Sequence, residues 1–488
     1  MTLSDPDLQR SRHYLAGQWR DAASGARYDV RDPATDTAFA QVPDGSADDA
    51  RLALDAAHAA FPAWRAMPAR QRANLLRRWH ALLLQHQDDL GRLIAREQGK
   101  PLAEARGEIA YAASYVEWFA EEAVRAYGDV IPAAAPDRRM LVLKEPVGVV
   151  AAVTPWNFPA AMIARKIAPA LAAGCTVVAK PAEDTPLTAL ALARLAERAG
   201  LPAGVLNLVT ASRANAAAVV NVWLADARVR KLTFTGSTPV GQHLARASAA
   251  TLKKLSLELG GNAPFIVFDD ADLDAAVAGL LAAKFRNGGQ TCVCPNRIYV
   301  QDGVHEAFLE RLAAAVAALP VGPASDPHAR IGPMINAGAV QKIERHVADA
   351  LAQGARVVVG GARLPALGAH FFQPTVLADV RDGMACTQEE TFGPVVPVSR
   401  FTHEDEAVTA ANATPYGLAS YFYTRDPARI WRVADALEAG IVGINEGALA
   451  SEAAPFGGIK ASGYGREGSR YGLDEYQQTK YLCQGGLR

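Results

Sequence analysis

The chain has 488 residues, 50% of them hydrophobic, so it can bury a large core and is expected to form two or three domains. Lys plus Arg (50) nearly balance Asp plus Glu (51), which leaves no basic surplus for binding nucleic acid or a membrane surface. Five cysteines in so long a chain argue against a disulfide framework and favour a reducing compartment. With no signal peptide and no uncharged stretch of transmembrane length, the sequence predicts a soluble cytoplasmic α/β protein.

The amino-terminal part of the chain predicts short strands, then helices, then strands again. Residues 14–45 have the turn punctuation of short strands. From Ser46, apolar residues recur at three- and four-residue spacing, which is typical of amphipathic helices. The predicted helices span residues 46–64, 70–99 and 102–127. The stretch 139–155 predicts two strands, which we expect to separate at Glu145 and Pro146.

A regular alternation of strands and helices begins at Gly148. One predicted helix begins near Pro159, and three more span residues 187–199, 214–224 and 240–248. This rhythm predicts right-handed βαβ crossovers and a parallel sheet, as in nucleotide-binding domains. It restarts after Leu255, which predicts a second α/β unit. Outside both units, we expect Val130–Lys144 and the strand-like run from Tyr471 to form a protruding sheet that bridges subunits.

The stretch Phe285–Arg297, which reads FRNGGQTCVCPNR, carries a candidate nucleophile. Gly288 and Gly289 allow a sharp turn, and Cys292 follows among small and polar neighbours. On such a turn a cysteine can present both its sulfur and its own backbone N–H to a cleft, as a nucleophile with an adjacent oxyanion donor requires. The alternative for a single cysteine is a buried structural role.

Polar residues follow three of the predicted parallel strands. In TPWNFP, Asn157 can donate its amide N–H to an oxyanion or simply cap a turn. In TVVAKPAEDTP, Lys180 and Glu183 lie where open sheets bind ligands, and a carboxylate there accepts ribose hydroxyls and repels a 2′-phosphate, which favours NAD over NADP. In FTGST, Gly236 and Ser237 begin a helix whose amino terminus can bind a phosphate. Solvated or ordinary turns are the alternatives.

The stretch LSLELGGN places Glu258 inside an apolar run just before two glycines. Such a carboxylate is either exposed at a strand edge or partly desolvated. Desolvation raises a carboxyl pKa toward the range that suits a general base. Glu258 is therefore a candidate base.

Six motifs in this sequence, TPWNFP, FTGST, LELGG, GQTC, EETFGP and PFGG, occur in the order seen in the NAD(P)-dependent aldehyde dehydrogenases, and the resemblance runs from Tyr14 to Leu487. The longer stretches KFRNGGQTCVCPNR and SGYGREGSRYGLDEY resemble the succinate-semialdehyde dehydrogenase branch. The resemblance implies an α/β fold with a Rossmann-type NAD-binding domain, an α/β catalytic domain and a bridging β element, assembled as a homodimer or homotetramer. The NAD-binding domain would comprise residues 1–127 and 147–256, and the catalytic domain residues 257–466. The bridging element would comprise residues 128–146 and 467–488.

The resemblance also implies a role for each candidate residue. Cys292 attacks the aldehyde carbonyl, Asn157 and the Cys292 backbone N–H stabilise the oxyanion, NAD accepts a hydride, and Glu258 activates the water that hydrolyses the thioester. The implied cofactor contacts are Thr154, Pro155, Trp156, Lys180, Glu183, Gly236, Ser237, Leu259, Glu390 and Phe392. Cys294 could form a regulatory disulfide with Cys292, although so close a spacing would strain the bond.

The implied substrate is succinate semialdehyde. Arg165 and Arg286 match positions that bind its distal carboxylate, for which a guanidinium fork is suited, although either arginine could make a structural salt bridge instead. Ala450 stands where the branch commonly has a serine, and neighbouring Ser451 could compensate. Glutarate semialdehyde, or a sulfonated or hydroxylated aldehyde such as sulfolactaldehyde, is the alternative.

Three other functions use some of the same residues. An acylating dehydrogenase would pass the thioester to coenzyme A, but Glu258 favours hydrolysis. A thiol hydrolase would leave FTGST and EETFGP without a role, and an inactive NAD-binding protein would not need Cys292, Glu258 and Asn157 together. The sequence has no HExxH and no ligand-like cysteine spacing, so it predicts no metal site.

Overall fold

Two predominantly parallel sheets and one small antiparallel sheet organise the chain. The computed structural model describes residues 2–487. Its strands are β1 (His13–Leu15), β2 (Gln18–Arg20), β3 (Arg27–Asp32), β4 (Thr37–Pro43), β5 (Asp129–Ile131), β6 (Arg139–Pro146), β7 (Val149–Val153), β8 (Thr176–Lys180), β9 (Leu206–Leu208), β10 (Val229–Thr235), β11 (Lys254–Glu258), β12 (Ala263–Val267), β13 (Pro295–Gln301), β14 (Arg356–Val359), β15 (Thr375–Ala378), β16 (Val395–Phe401), β17 (Tyr416–Gly417), β18 (Ala419–Tyr423), β19 (Ile441–Ile444), β20 (Ile459–Lys460), β21 (Gly463–Tyr464) and β22 (Gln477–Gln484).

The α-helices alternate with these strands along most of the chain. They are α1 (Ala47–Ala66), α2 (Ala69–Gln85), α3 (Gln87–Glu97), α4 (Leu102–Ala123), α5 (Ala161–Ala173), α6 (Pro186–Arg198), α7 (Ala216–Ala225), α8 (Thr238–Ser248), α9 (Leu273–Lys284), α10 (His305–Ala317), α11 (Ala337–Ala352), α12 (Ala385–Gln388), α13 (Glu404–Asn412), α14 (Pro427–Ala436) and α15 (Ser469–Asp474). Not one of the helices described is long and apolar enough to cross a membrane.

The first sheet has the strand order β2-β1-β9-β8-β7-β10-β11-β21. The five strands from β9 to β11 are parallel, and the edge strands β1, β2 and β21 are antiparallel. Strands such as β8 are buried along their whole length, as expected where helices cover both faces. The chain leaves β7 toward β8 and β9, and then returns to the other side of β7 for β10. The carboxyl ends of β7 and β10 therefore flank the switch point where open sheets bind ligands.

The second sheet has the strand order β14-β15-β16-β13-β12-β18-β19 and is parallel except for β14. The cysteine loop leads into its strand β13, and the LELGG segment leads from β11 of the first sheet into β12. Both predicted α/β units and their parallel sheets are confirmed. Strand β11 continues past residue 257, and Glu258 still pairs within the first sheet. The predicted division into domains between residues 256 and 257 stays a prediction.

The third sheet joins two segments far apart in the sequence. Strand β22 pairs with β6 from Gln477–Pro146 to Gln484–Arg139, and β5 adds a third strand. The predicted pairing of these segments is confirmed, and its subunit-bridging role stays a prediction. Exposed apolar side chains on this sheet, among them Val130 and Tyr481, are compatible with that role.

Three local predictions were wrong. The helix predicted over 70–99 is broken at His86, whose ψ of 21° leaves the helical range. Asp89, in the first turn of the following helix α3, accepts the N–H groups of Ser4 and Asp5. Strand β6 runs through Pro146, and the turn comes at Gly148, where φ is +131°. The segment predicted to be strand-like from Tyr471 instead begins within helix α15, and its strand β22 starts only at Gln477. Such breaks depend on tertiary contacts that hydrophobic periodicity does not record.

Candidate active site

A cavity of about 380 Å³ opens at the switch point of the first sheet. It brings together residues from loops that are distant in sequence. Nine of the predicted site residues line it: Pro155, Trp156, Asn157, Gly236, Ser237, Leu259, Cys292, Glu390 and Phe392. Of the other predicted residues, Glu183 lines a second cavity of about 140 Å³, which shares Arg213, Ile335 and Asn336 with the first. Thr154, Lys180, Glu258, Arg165, Arg286 and Ser451 line neither of these two cavities.

Glycines allow the loops around Cys292 to pack backbone against backbone. Asn287, Gly288 and Gly289 all have positive φ, and a Cβ on Gly289 would lie only 2.3 Å from the carbonyl oxygen of Gly393. A Cβ on Gly261 would lie 2.4 Å from the carbonyl oxygen of Cys292. The cysteine loop is therefore held against both the LELGG and EETFGP segments, and this close approach explains Gly261 and Gly289. A Cβ on Gly393 would instead lie 2.5 Å from Ile343 Cδ1.

Asn157 is almost fully buried and contacts the cysteine loop directly. Its Nδ2 donates a hydrogen bond of 3.1 Å to the carbonyl oxygen of Gln290, two residues before Cys292. An amide nitrogen carries two hydrogens, so a second N–H stays available for an oxyanion. The backbone carbonyl oxygen of Asn157 in turn accepts hydrogen bonds from Lys100 Nζ at 2.8 Å and from Asn287 Nδ2 at 2.9 Å.

Lys100 and Asn287 were missed by the sequence interpretation. Lys100 Nζ also donates to Glu108 Oε2 at 2.5 Å, and Glu108 Oε1 accepts the N–H groups of Ala160 and Ala161 at the start of α5. These buried groups fix the turn that carries Asn157. Asn287 lies inside the quoted FRNGGQTC stretch and could have been found there, whereas nothing in the pattern around Lys100 indicates its role.

Glu258 ends β11 in a fully desolvated position. Its side chain is 1% exposed, and neither carboxylate oxygen has a hydrogen-bond partner within residues 2–487. A Cβ on Gly457 of the PFGG motif would lie 2.9 Å from Glu258 Oε1, so this motif closes over the carboxylate. Burial and the neighbouring Glu467 raise the pKa of Glu258 well above its ordinary value, while Arg165 and Lys166 act in the opposite direction. The unpaired carboxylate can accept a proton.

The Cys292 thiol is neutral in this environment. Burial raises its pKa to about 12, whereas the positive charge of Arg165 acts to lower it, and Glu390 and Glu258 act to raise it. All five cysteines are free thiols, and Cys294 is buried with its Sγ 3.5 Å from the carbonyl oxygen of Lys284. A nucleophilic role for Cys292 would therefore require removal of its proton.

The remainder of the main cavity has the groups that a dinucleotide requires. Ser237 precedes α8, whose first turn has no side-chain cap, so its backbone N–H groups can bind a phosphate. Glu390 accepts the Gly261 N–H at 3.2 Å, and burial raises its pKa to about 7. Phe392, with a φ of +56°, packs edge-on against Trp156 at 5.5 Å. A flat apolar wall beside an anion site fits a nicotinamide dinucleotide.

The two arginines predicted to bind substrate meet around one aromatic cluster, formed by Tyr111, Tyr115, Phe158 and Phe456. The Arg165 guanidinium lies 4.1 Å from the Phe456 ring, and that of Arg286 lies 4.9 Å from the Phe158 ring. The Ser451 carbonyl accepts the Tyr115 hydroxyl at 3.5 Å, so this loop joins the cluster.

Arg165 also forms the salt bridge that the sequence left open as an alternative. It pairs through Nε with Glu467, which also binds Lys166. Its Nη2 is buried and has no hydrogen-bond partner among residues 2–487. One edge of the guanidinium is therefore structural, and the other edge is free to bind an anion.

Comparison with known proteins agrees with this geometry. Residues 19–482 match the aldehyde dehydrogenase family. The chain is 57% identical to the succinate-semialdehyde dehydrogenase (NADP+) of Escherichia coli strain K12, over 99% of this chain and 100% of that protein. It is 57% identical to the glutarate-semialdehyde dehydrogenase of Pseudomonas aeruginosa, over 100% of both chains. The crystal structure of succinate-semialdehyde dehydrogenase from Burkholderia pseudomallei superposes with a TM-score of 0.97 at 55% identity, over 99% of this chain and 100% of that one.

The predicted resemblance and fold class are thereby confirmed. The six motifs that carry the resemblance are those that the fold gathers around Cys292. The chain belongs to the aldehyde dehydrogenase family.

Proposed function

We propose that the protein oxidises succinate semialdehyde to succinate with reduction of NAD. The observation that carries this proposal is the pair of guanidinium groups, Arg165 and Arg286, held against one aromatic cluster. Phe158 of the cluster follows Asn157, which hydrogen-bonds the cysteine loop at Gln290, so the cluster adjoins the loop that carries the nucleophile. A short substrate with an aldehyde at one end and a carboxylate at the other matches a thiol with arginines beside it.

Each step of the chemistry uses a group of this chain. The Cys292 sulfur gives its proton to a water molecule of the cavity and adds to the aldehyde carbon, and the free N–H of Asn157 together with the Cys292 backbone N–H stabilises the thiohemiacetal oxyanion. Bound NAD supplies the hydride acceptor. Glu258 then removes a proton from the water that attacks the thioester carbon. The C–S bond breaks, the carboxylic acid is released, and Glu258 returns the proton to the Cys292 sulfur, which restores the thiol and the carboxylate. The unpaired, desolvated Glu258 carboxylate supports this role.

NAD is the proposed cofactor. Trp156, Leu259, Glu390 and Phe392 would contact the nicotinamide half, and the start of α8 with Gly236 and Ser237 would bind the pyrophosphate. Glu183 follows β8, where its carboxylate can accept hydrogen bonds from the adenosine ribose. Lys180 Nζ lies 3.7 Å from Glu183 Oε2 and would hold that carboxylate in place. Thr154 and Pro155 would complete the contact, with the Thr154 N–H tied to the Lys180 carbonyl at 3.2 Å.

A related acidic aldehyde is the second candidate substrate. Ala450 supplies no hydroxyl to the carboxylate site, and Ser451 Oγ already accepts the Ala453 N–H at 3.3 Å. One lost hydrogen bond is worth about 0.5–1.5 kcal/mol, which is enough to shift preference between similar acids. Glutarate semialdehyde, the substrate in the name of the Pseudomonas relative, and a sulfonated aldehyde such as sulfolactaldehyde therefore belong in the same assay.

The domain and assembly predictions are part of this proposal. Residues 1–127 with 147–256 would bind NAD, residues 257–466 would carry Cys292, and residues 128–146 with 467–488 would bridge a homodimer or homotetramer. Exposed Val130 and Tyr481 on the third sheet support an interface there, which light scattering of the purified protein would test. Free thiols throughout the chain support a cytoplasmic location.

The test is initial-rate NADH formation with succinate semialdehyde, glutarate semialdehyde, sulfolactaldehyde and uncharged butanal. We expect the acidic aldehydes to exceed butanal in kcat/KM by at least about a hundredfold, or about 2.7 kcal/mol. Arg286→Ala should remove most of that preference. Arg356→Ala, an exposed arginine on the edge strand β14, is the matched control and should retain it. Equal kcat/KM with butanal would contradict the carboxylate-binding role of the arginines and would support only an aldehyde dehydrogenase of other specificity.

A further inference from the structure

His346 lies on α11, the helix that connects a wall of the main cavity to the EETFGP segment. Ala339 and Lys342, two turns and one turn before His346 on the same helix, line that cavity. Ile343 packs against the segment itself, since a Cβ on Gly393 would lie 2.5 Å from Ile343 Cδ1. The His346 side chain is fully buried, and the proposed reaction gives it no role.

Both ring nitrogens of His346 contact residues of the EETFGP segment. Nδ1 lies 3.1 Å from Thr391 Oγ1, and Nε2 lies 3.3 Å from Glu389 Oε2. Burial lowers the pKa of His346 to about 4, so at neutral pH the imidazole is neutral and carries one N–H. A carboxylate can only accept, which assigns that hydrogen to Nε2 and leaves Nδ1 to accept the Thr391 hydroxyl. Arg345, whose Nη2 also lies 3.3 Å from Nε2, donates to the same carboxylate.

The two residues that His346 holds flank Glu390 in the sequence. Glu390 and Thr391 both line the main cavity, and the Glu390 carboxylate accepts the Gly261 N–H at 3.2 Å. Because one buried imidazole fixes the neighbour on each side, the backbone at Glu390 has little freedom to turn its carboxylate away from the cavity. We propose that His346 is a positioning residue of the cofactor site, which holds Glu389 and Thr391 and so orients the Glu390 carboxylate toward the ribose that carries the nicotinamide.

The inference rests on the proposed NAD site, and it predicts a selective effect. NAD carries a second ribose and the nicotinamide beyond its pyrophosphate, whereas ADP ends at the pyrophosphate. A displaced Glu390 carboxylate should therefore weaken the binding of NAD and leave that of ADP unchanged, because ADP has no group at that end of the cavity. A histidine that served only to stabilise the fold would affect both ligands alike, or neither.

The experiment measures the binding of NAD and of ADP to the full chain by isothermal titration calorimetry without aldehyde. In His346→Leu we expect the Kd for NAD to rise at least about fivefold, or about 1 kcal/mol, with the Kd for ADP changed less than about twofold. His346→Asn should recover part of the NAD affinity, because its amide oxygen keeps an acceptor for Thr391. The matched control is His305→Leu on α10, whose imidazole is equally buried and lies 3.3 Å from Glu306, and it should leave both Kd values unchanged.

A double variant tests whether His346 acts through Glu390. Glu390→Gln should itself raise the Kd for NAD, and adding His346→Leu should raise it no further, because the carboxylate that His346 positions is already gone. Additive effects of the two substitutions would overturn the inference, as would an unchanged Kd for NAD in His346→Leu or an equal loss of ADP binding. If His346→Leu does not fold, Thr391→Val, which removes one partner of the imidazole and keeps the side-chain shape, is held to the same outcomes.

The titrations contain no aldehyde, so they are separate from the proposed reaction. Normal binding of NAD with no oxidation of any aldehyde in the rate assay would contradict the proposed substrate class alone. Absence of NAD binding to the wild-type protein would contradict the proposed cofactor and the role of His346 together.

Discussion

The two ends of the proposed cofactor site differ in how charge is held. At the Cys292 end, Glu258 is 1% exposed and Asn157 is 4% exposed, and their neighbours are packed backbone segments. At the Glu183 end, an ion pair faces solvent. Desolvation makes each polar group at the first end energetically important, whereas screening limits each pair at the second to at most about 1 kcal/mol. Substitutions at the Cys292 end should therefore change chemistry, and those at the Glu183 end should change cofactor choice.

The largest effect is expected for Glu258→Gln. Gln keeps the shape but cannot accept the proton from water, so kcat should fall by about 10²–10⁴-fold because the thioester is no longer hydrolysed. Rapid mixing should still record a burst of NADH, close to one per active site, before turnover stalls. Cys292→Ala should give neither burst nor turnover, and Cys294→Ala should retain both. A Glu258→Gln enzyme that turns over normally would remove the general-base assignment.

A second effect separates the oxyanion donor from the groups that position it. Asn157→Ala should lower kcat by about 10²–10³-fold, as expected for loss of one oxyanion donor. Asn287→Gly keeps the positive φ and removes one of the two hydrogen bonds to the Asn157 carbonyl, so a smaller loss, about tenfold in kcat, is expected. Unchanged KM for NAD in both variants would confine the effect to the aldehyde end. If Asn287→Gly lowered kcat as much as Asn157→Ala, Asn287 would do more than position Asn157, and the positioning role would be contradicted.

The pH dependence of the Cys292 end follows from its raised pKa values. A thiol whose pKa is about 12 is protonated at neutral pH, and burial also raises the pKa of Glu258 well above its ordinary value. Cys292 must lose its proton to attack the aldehyde, and Glu258 must be a carboxylate to act as a base, so kcat/KM should rise as pH increases and fall as it decreases. The rate of Cys292 alkylation by iodoacetamide should rise in parallel. A decline of both rates toward alkaline pH would contradict the neutral-thiol description.

The smallest effect is expected at the other end. Glu183→Gln removes the charge that accepts the ribose hydroxyls, so the KM for NAD should increase roughly three- to tenfold while kcat stays unchanged. NADP should be affected less, because the same change removes a negative charge from beside its phosphate. A fall in kcat with unchanged KM would mean that the exposed end also acts on the chemistry.

Much of the fold was predictable because it depends on local patterns. The alternation after Gly148 records buried parallel strands and covering helices, and the glycines of FRNGGQTC record a tight turn. The pattern did not record the break at His86 or the pairing of β11 with β21, because these depend on contacts with segments distant in sequence. Lys100 was missed for the same reason, since its partners Glu108 and Asn157 are 8 and 57 residues away in sequence.

The sequence by itself determined the family, the identity of the candidate nucleophile, base and oxyanion donor, and the presence of arginines suited to an acidic substrate. These are properties of residue type and short motif, which survive without coordinates. Tertiary structure alone decided the ionisation and pairing of those groups. Glu258 is buried without a hydrogen-bond partner among the described residues, Glu467 pairs with one edge of the Arg165 guanidinium, and Arg213 forms a salt bridge with Glu183. Each result depends on which distant side chains meet in a place of low dielectric or at the surface, and spacing along the chain does not encode that.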